Sequence, residues 1–287
     1  MKYRKIGLLY ITPWIIGLII FTIYPFIASF ILSFTDYKII YQPKFVGFSN
    51  YINMMHDGLF WTSLFATFKF VIFTVPLKLI FALFIALVLN FKLRGINFYR
   101  TAYYIPSILG GNVAITVLWR FLFQGNGLIN QLLGVFGINP IPWFSTEYGA
   151  LFTISALRIW EFGSAMVIFL AGLKDIPQEL IEAAAVDGAS PIKTFFKITI
   201  PLLTPIIFFN FVMQIIQVFQ EFNAPYMITG GGPLNKTYLF SLMIYDNSFK
   251  YFNMGYGSAL SWILFIIIMI FTLLVFRSSK YWVFYQD

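Results

Sequence analysis

The chain has 287 residues, 60% of them hydrophobic and only 10% charged, with 36 Phe, 17 Tyr, 7 Trp and a formal net charge of +8. Soluble domains average about 45–50% apolar and about 25% charged residues, so a water-facing globular domain is excluded, as are disordered, collagenous and disulfide-stapled chains. The absence of cysteine and the single histidine, His56, leave no thiol chemistry and no Cys- or His-cluster metal site.

A helix needs about 20 mostly apolar residues to cross the hydrocarbon core of a bilayer. Six stretches meet that requirement: residues 6–35, 61–91, 101–120, 148–173, 198–221 and 251–276. The first follows Lys2-Tyr3-Arg4-Lys5 and so resembles a signal peptide. It is too long for a signal core and lacks a small-x-small cleavage site, so it is expected to be a permanent span. The second carries Lys69 and Lys78, the third ends at Arg120, and the fourth is interrupted by Arg158 and Glu161. All six are too long for barrel strands of about 9–11 residues. The expected fold class is therefore an all-α membrane protein, one transmembrane domain over residues 1–287, with no internal repeat.

Lys and Arg set the orientation. With a cytoplasmic N-terminus, Lys2, Arg4, Lys5, Lys92, Arg94, Arg100, Lys174, Lys193, Lys197, Arg277 and Lys280 lie inside, against Lys38, Lys44, Lys236 and Lys250 outside. Six spans then place both termini in the cytoplasm. The positive charge is a topology signal and a contact with anionic lipid headgroups, and nucleic acid is not an expected partner. Charges within spans are costly and point to function. Lys69 and Lys78 can snorkel or touch a pathway. Arg120 reads as an interfacial anchor. Arg158 and Glu161, one turn apart, can form a structural ion pair or face a cavity. Pro25, Pro76, Pro106 and Pro205 can kink the spans or simply pack there.

The loop between the fourth and fifth spans, residues 174–197, is the most informative segment. Pro177 suits the first position of a helix, Gln178, Glu179 and Glu182 complement its dipole, and Ala183–Ala185 favour it. Asp187-Gly188 stops it, with Gly188 able to adopt the left-handed conformation. Ser190-Pro191 then opens a second helix. A small-residue knob of this kind suits insertion into another protein's groove, although an ordinary interfacial loop helix has the same composition.

The spacing of this loop resembles the EAA signature of the membrane subunits of ATP-binding-cassette importers. It contains Glu182-Ala183-Ala184, three residues, Gly188, nine residues, then Ile198-x-Ile200-Pro201, with Ile200 where Leu is usual. Asp187 and Ala189 match the sugar-importer version. Thr229-Gly230-Gly231-Gly232-Pro233, by itself a glycine-rich turn, resembles the T-x-GGP segment of MalF-like carbohydrate permeases. The resemblance extends to the six spans and to Thr12-Pro13, while the extra N-terminal helices and large periplasmic insertion of the maltose subunit are absent.

The resemblance implies a permease subunit of a primary-active carbohydrate importer in the cytoplasmic membrane of a bacterium. A sister MalG-like permease, two ATPase subunits and an extracytoplasmic solute-binding protein are the implied partners, and a sugar or oligosaccharide the implied substrate. A polyol or glycerol phosphoester is the alternative solute. No Gly-Lys-Ser/Thr triplet occurs, so the chain is not expected to be an enzyme or to bind a cofactor. ATP and Mg belong on the partner ATPases. Glu182, Ala183, Ala184, Asp187 and Gly188 are the implied coupling residues. Sugar contacts in the family come from the spans on either side of this loop. Matched by distance from the EAA motif, they fall on Leu157, Trp160, Glu161 and Ser164, whose spacing makes one helix face, and on Gln217, Gln220, Glu221 and Asn223. Amides and carboxylates can bond paired hydroxyls, and Trp160 can stack on a pyranose. A secondary transporter acting alone would leave the EAA loop without a purpose, and no catalytic constellation supports a membrane enzyme.

Overall fold

The computed structural model describes residues 2–91 and 94–284, with side chains from Tyr10 onward. Lys92, one of the expected cytoplasmic cations, lies outside the described residues, as do the side chains of Lys2, Arg4 and Lys5. The described chain is mostly helical. Four helical stretches are long and apolar enough to cross a membrane: Tyr10–Leu32, Gly58–Asn90, Pro191–Phe219 and Met254–Trp282. Two bent pairs, Ile96–Leu109 with Val113–Leu122 and Glu147–Trp160 with Gly163–Asp175, bring the number to six if each pair is one span. The six apolar runs of the sequence fall on these segments.

The chain divides into two compact units. The first comprises the described residues up to Trp61 together with Met243–Ile266. Its first helices, α1 (Lys2–Leu18) and α2 (Tyr24–Leu32), are joined through a π-helical turn, Ile19–Ile23. That turn lies just before Pro25. A proline has no N–H for the carbonyl four residues back and its ring collides with it, and a turn widened by one residue relieves the collision. Strands β1 (Thr35–Asp36) and β2 (Lys44–Phe45) follow as a short antiparallel pair, then α3 (Ser49–His56). The buried Asn50 amide on α3 donates to the carbonyls of Ser33 and Thr35, each at 2.9 Å. Those bonds satisfy the backbone where α2 ends. Phe26 and Phe30 pack against Trp262, and the Trp262 indole N–H donates to Ser29 Oγ at 3.2 Å. Gly255 has no room for a Cβ, because the Thr35 carbonyl occupies that space.

The second unit comprises Thr62–Leu242 and the described residues from Ile267 on. Most of α4 (Gly58–Asn90) belongs here, with Phe70, Val75, Ala82 and Ala86 in its core. At its C-terminal end the Leu89 carbonyl accepts from the Arg100 guanidinium at 3.1 Å, a cation placed where the helix dipole favours one. Helices α5 (Ile96–Leu109) and α6 (Val113–Leu122) meet at a 100° bend. The break is chemical: Gly110-Gly111 have weak helical preference, and the Asn112 side chain caps α6 by accepting from the Ala114 N–H at 2.8 Å. Helix α7 (Leu128–Val135) lies in the next connection. A second, 47° bend separates α8 (Glu147–Trp160) from α9 (Gly163–Asp175). The sequence offered only Pro106 as a possible kink in the third span and Arg158 and Glu161 as a polar interruption of the fourth; it did not place either break.

Helices α10 (Gln178–Val186) and α11 (Pro191–Thr194) form the loop, and a π-helical turn, Phe195–Thr199, leads into α12 (Ile200–Phe219). This turn again lies just before a proline, Pro201. Helix α9 packs closely on α12, and Gly172 leaves space that the Ile206 side chain fills. The chain continues through a π-helical turn (Pro225–Thr229), α13 (Phe240–Tyr245), a further π-helical turn (Asp246–Lys250) and α14 (Met254–Trp282).

Candidate functional site

Two regions of the second unit carry the expected chemistry. The first is the loop between α9 and α12. Ile176 is extended (φ −68°, ψ 123°), as the residue before a proline must be. Pro177 is extended as well, so the helix opens at Gln178, one residue later than the sequence suggested. The Gln178 amide donates to the Glu182 carboxylate at 2.8 Å across one turn. The helix ends in a Schellman motif: the Ala189 N–H donates to the Ala184 carbonyl at 2.9 Å and the Gly188 N–H to the Ala185 carbonyl at 3.1 Å. Gly188 carries φ +74° with nothing within 4 Å of a Cβ, so backbone conformation alone demands glycine there. Ser190 then caps α11, accepting from the Lys193 N–H at 3.3 Å.

This closure sorts the five expected coupling residues. Glu182, Ala183, Asp187 and Gly188 are exposed, whereas Ala184 is buried. Ala184 therefore faces the protein and sets how closely the helix approaches it. Exposed apolar side chains, Leu180, Val186, Ile192 and Phe196, flank the loop.

The second region lies at the far ends of α9 and α12. Arg158 on α8 pairs with Glu161 and, through Nε, with Glu221 at 2.9 Å. Glu161 ends α8 at the 47° break, and Glu221 follows α12, where its Oε1 accepts from the Ala224 N–H at 2.9 Å. Lys78 on α4 is 2% exposed and within electrostatic reach of all three, with no ion pair within 4 Å among the described residues. The buried Lys78 and the half-buried Arg158 thus accompany two buried carboxylates, an arrangement in which opposite charges offset one another. The 100° break reaches the same place, because a Cβ on Gly110 would collide with the Glu161 carboxylate. The Ser107 hydroxyl donates to the Glu161 carbonyl at 3.1 Å and accepts from the Ser164 N–H at 3.0 Å.

The structure brings Glu161 and Glu221 together, which sequence spacing had assigned to separate spans. Leu157 is buried. Trp160 is half-buried and its ring lies 5.7 Å from that of Trp119. Ser164, Gln217 and Gln220 are exposed and Asn223 half-buried. No hydrogen bond or ion pair joins Trp160 or Ser164 to Gln217, Gln220 or Asn223 among the described residues. Sequence reasoning missed Lys78 and Arg158 as members of one cluster, and it missed Asn210 and Gln214. Both amides are buried, Asn210 donating to the Ala165 carbonyl at 3.4 Å. The signal was present: Asn210, Gln214 and Gln217 at i, i+4 and i+7 make one polar stripe on α12, and Glu221 follows just beyond its end.

Two expectations for isolated charges resolve into specific contacts. Lys69 pairs with Glu147 at 2.5 Å, and Lys236 approaches the same carboxylate at 3.5 Å. Arg120 donates to the Met227 carbonyl at 3.3 Å, so it holds the π-helical turn after α12. In the Thr229–Pro233 segment, Gly231 has φ +86°, and a Cβ there would lie 2.7 Å from the Tyr238 ring. Thr237 Oγ1 donates to the Gly232 carbonyl at 2.5 Å and lies 2.7 Å from Thr229 Oγ1.

Comparison with known proteins places these features in a family. The chain is 48% identical to "Probable ABC transporter permease protein YesP" of Bacillus subtilis over all of this chain and 94% of that protein. It is 34% identical to the trehalose/maltose transport system permease protein MalF of Thermococcus litoralis, over 98% of this chain and 96% of that one. Its fold matches a chain in a crystal structure of a bacterial alginate ABC transporter in complex with alginate pentasaccharide-bound periplasmic protein, with a TM-score of 0.82 at 20% identity over 97% of this chain and 96% of that one. Residues 46–283 match the model for binding-protein-dependent transport system inner membrane components, and to that family of ABC importer permeases the chain belongs.

Proposed function

We propose that this permease imports a sugar or oligosaccharide, delivered by an external solute-binding protein, across the cytoplasmic membrane by alternating access. Its partners would be a sister MalG-like permease and two ATPase subunits, which would bind the ATP and Mg. The observation that carries this reading is the exposed, Schellman-closed loop helix bearing Glu182, Ala183, Asp187 and Gly188. It is a small-residue knob with a fixed exit direction, suited to a groove on an ATPase. Likeness over nearly its whole length to a permease named for trehalose and maltose supports the carbohydrate.

Six spans with both termini in the cytoplasm agree with the distribution of Lys and Arg, and this orientation puts the loop on the ATPase side. Trp160, Ser164, Gln217, Gln220 and Asn223 would offer stacking and hydrogen-bonding groups to saccharide hydroxyls. Leu157, Glu161 and Glu221 would shape and brace that surface from behind, Glu161 and Glu221 through Arg158. Purification of the tagged chain from native membranes, followed by reconstitution with the binding protein, tests the reading. Recovery of a second permease and an ATPase, with hydrolysis stimulated by a saccharide, is the expected result. Recovery of the chain alone, or stimulation only by a glycerol phosphoester, would refute the carbohydrate importer.

A further inference from the structure

The first unit carries a polar cavity of about 490 Å³ between the β1–β2 pair, α3 and the start of α14. Its size falls within the range of small-molecule sites, about 300–1,000 Å³, but such sites are mainly apolar. Here, among the described residues, only Val46 in the lining has a side chain without a polar atom. One part of the wall is fixed. Ser49, Asn53 and Asp57 recur every fourth residue, so α3 turns one polar face to the cavity. The Asp57 carboxylate accepts from the Leu59 N–H at 2.8 Å and from the Tyr256 hydroxyl at 3.3 Å. An antiparallel bridge joins Lys38 to Asn253, and the Asn253 N–H donates to the Asn247 carbonyl at 2.8 Å. The turn into that bridge holds Phe252 at φ +56°, a left-handed conformation that a bulky residue keeps only where its surroundings impose it.

The other part of the wall has no internal partners. The side chains of Asp36, Lys38, Asn53 and Asn253 make no hydrogen bond or ion pair among the described residues. Two amides, a carboxylate and an ammonium group therefore stand open on one cavity, with donors and acceptors side by side. A hydroxyl is both donor and acceptor, and a saccharide presents hydroxyls in adjacent pairs that planar amides and carboxylates match. A metal ion would need oxygens converging at about 2.0–2.6 Å, and this cavity is far too wide for one. A phosphoester would meet two carboxylates, Asp36 and Asp57, against the single cation Lys38, a like-charge juxtaposition. We propose that the cavity is a second saccharide subsite, which receives one sugar unit through Asp36, Asn53 and Asn253 against the fixed wall of Asp57 and Tyr256. It belongs to the first unit, whereas the Trp160 surface belongs to the second. The subsite rests on the carbohydrate reading and on its orientation, which puts the connection between the first two spans on the side where solute is delivered.

The test uses the complete importer in nanodiscs, without its binding protein. A trifluoromethyl label at S49C, an exposed lining position in an otherwise cysteine-free chain, is followed by fluorine NMR. The probe is the saccharide that stimulates hydrolysis in the reconstitution above. A saturable shift of the label is expected, with apparent affinity at least tenfold weaker in N53A and in N253A and unchanged in W160A. Neither asparagine side chain has an internal partner, so both variants should fold, which thermal melting of the purified importer checks. A glycerol phosphoester should give no saturable shift. The subsite is overturned by an unmoved label at saccharide up to about 100 mM, a hundredfold above the level that fills a millimolar site. Equal affinity in wild type, N53A and N253A overturns it too, as does loss of the shift in W160A. A shift produced by unliganded binding protein and not by saccharide would make the cavity a protein contact instead. A saccharide that drives hydrolysis but leaves the label unmoved removes the subsite alone. If no saccharide drives hydrolysis, the carbohydrate reading falls and the subsite with it.

Discussion

Substitution of Gly188 tests the loop most sharply, because the structure separates conformational from steric cost there. A Cβ at this position meets nothing within 4 Å, yet the backbone sits at φ +74°. Any cost of Gly188→Ala is thus the left-handed penalty of an L-residue, about 1–2 kcal/mol. That lowers the population of the correctly closed loop about 5–30-fold. Asn tolerates this region better through its short polar side chain, so Gly188→Asn should cost less than Gly188→Ala. Gly188→Pro fixes φ near −65° and deletes the N–H that bonds the Ala185 carbonyl, a loss of about 3 kcal/mol or more. The closed loop is then depopulated more than 100-fold, by about 1.4 kcal/mol per factor of ten. The assay is co-purification of the ATPase from membranes with matched permease levels, alongside the initial rate of uptake. Both should fall in the order Gly, Asn, Ala, Pro, with membrane insertion unchanged because the position is exposed. ATPase recovery and uptake at wild-type level in Gly188→Pro would refute the reasoning.

Other positions give independent tests. Gly110→Ala places a methyl against the Glu161 carboxylate and should destabilise the purified permease by about 1–3 kcal/mol through overpacking; a melting temperature equal to wild type would contradict the packing at the break. Gly231→Ala combines φ +86° with a 2.7 Å approach to Tyr238, so limited proteolysis should cut the 229–237 loop at least ten times faster than in wild type. Trp160→Ala should reduce saccharide uptake at least tenfold while the ATPase still co-purifies, and full uptake would remove Trp160 from the substrate surface.

Composition and spacing were enough to identify a helical membrane permease. Twenty-residue apolar runs have no stable solution in water, and the EAA spacing together with Gly188 and Ser190-Pro191 encodes a local structure from local residues. Helix caps and left-handed turns depend on neighbours within a few positions, and those readings survive with a one-residue shift at Pro177. The two breaks at Gly110 and Glu161 were less legible, because apolar flanks hide a polar interruption when hydropathy is read over a whole span. The meeting of Lys78, Arg158, Glu161 and Glu221 was not legible at all. Those residues come from helices as far apart as positions 78 and 221, and each alone reads equally well as a snorkelling charge or a sugar contact. Only packing decides between them: burial strips most of the water from Glu161 and Glu221, so both carboxylates pair with Arg158, and that requirement exists only once the helices are assembled.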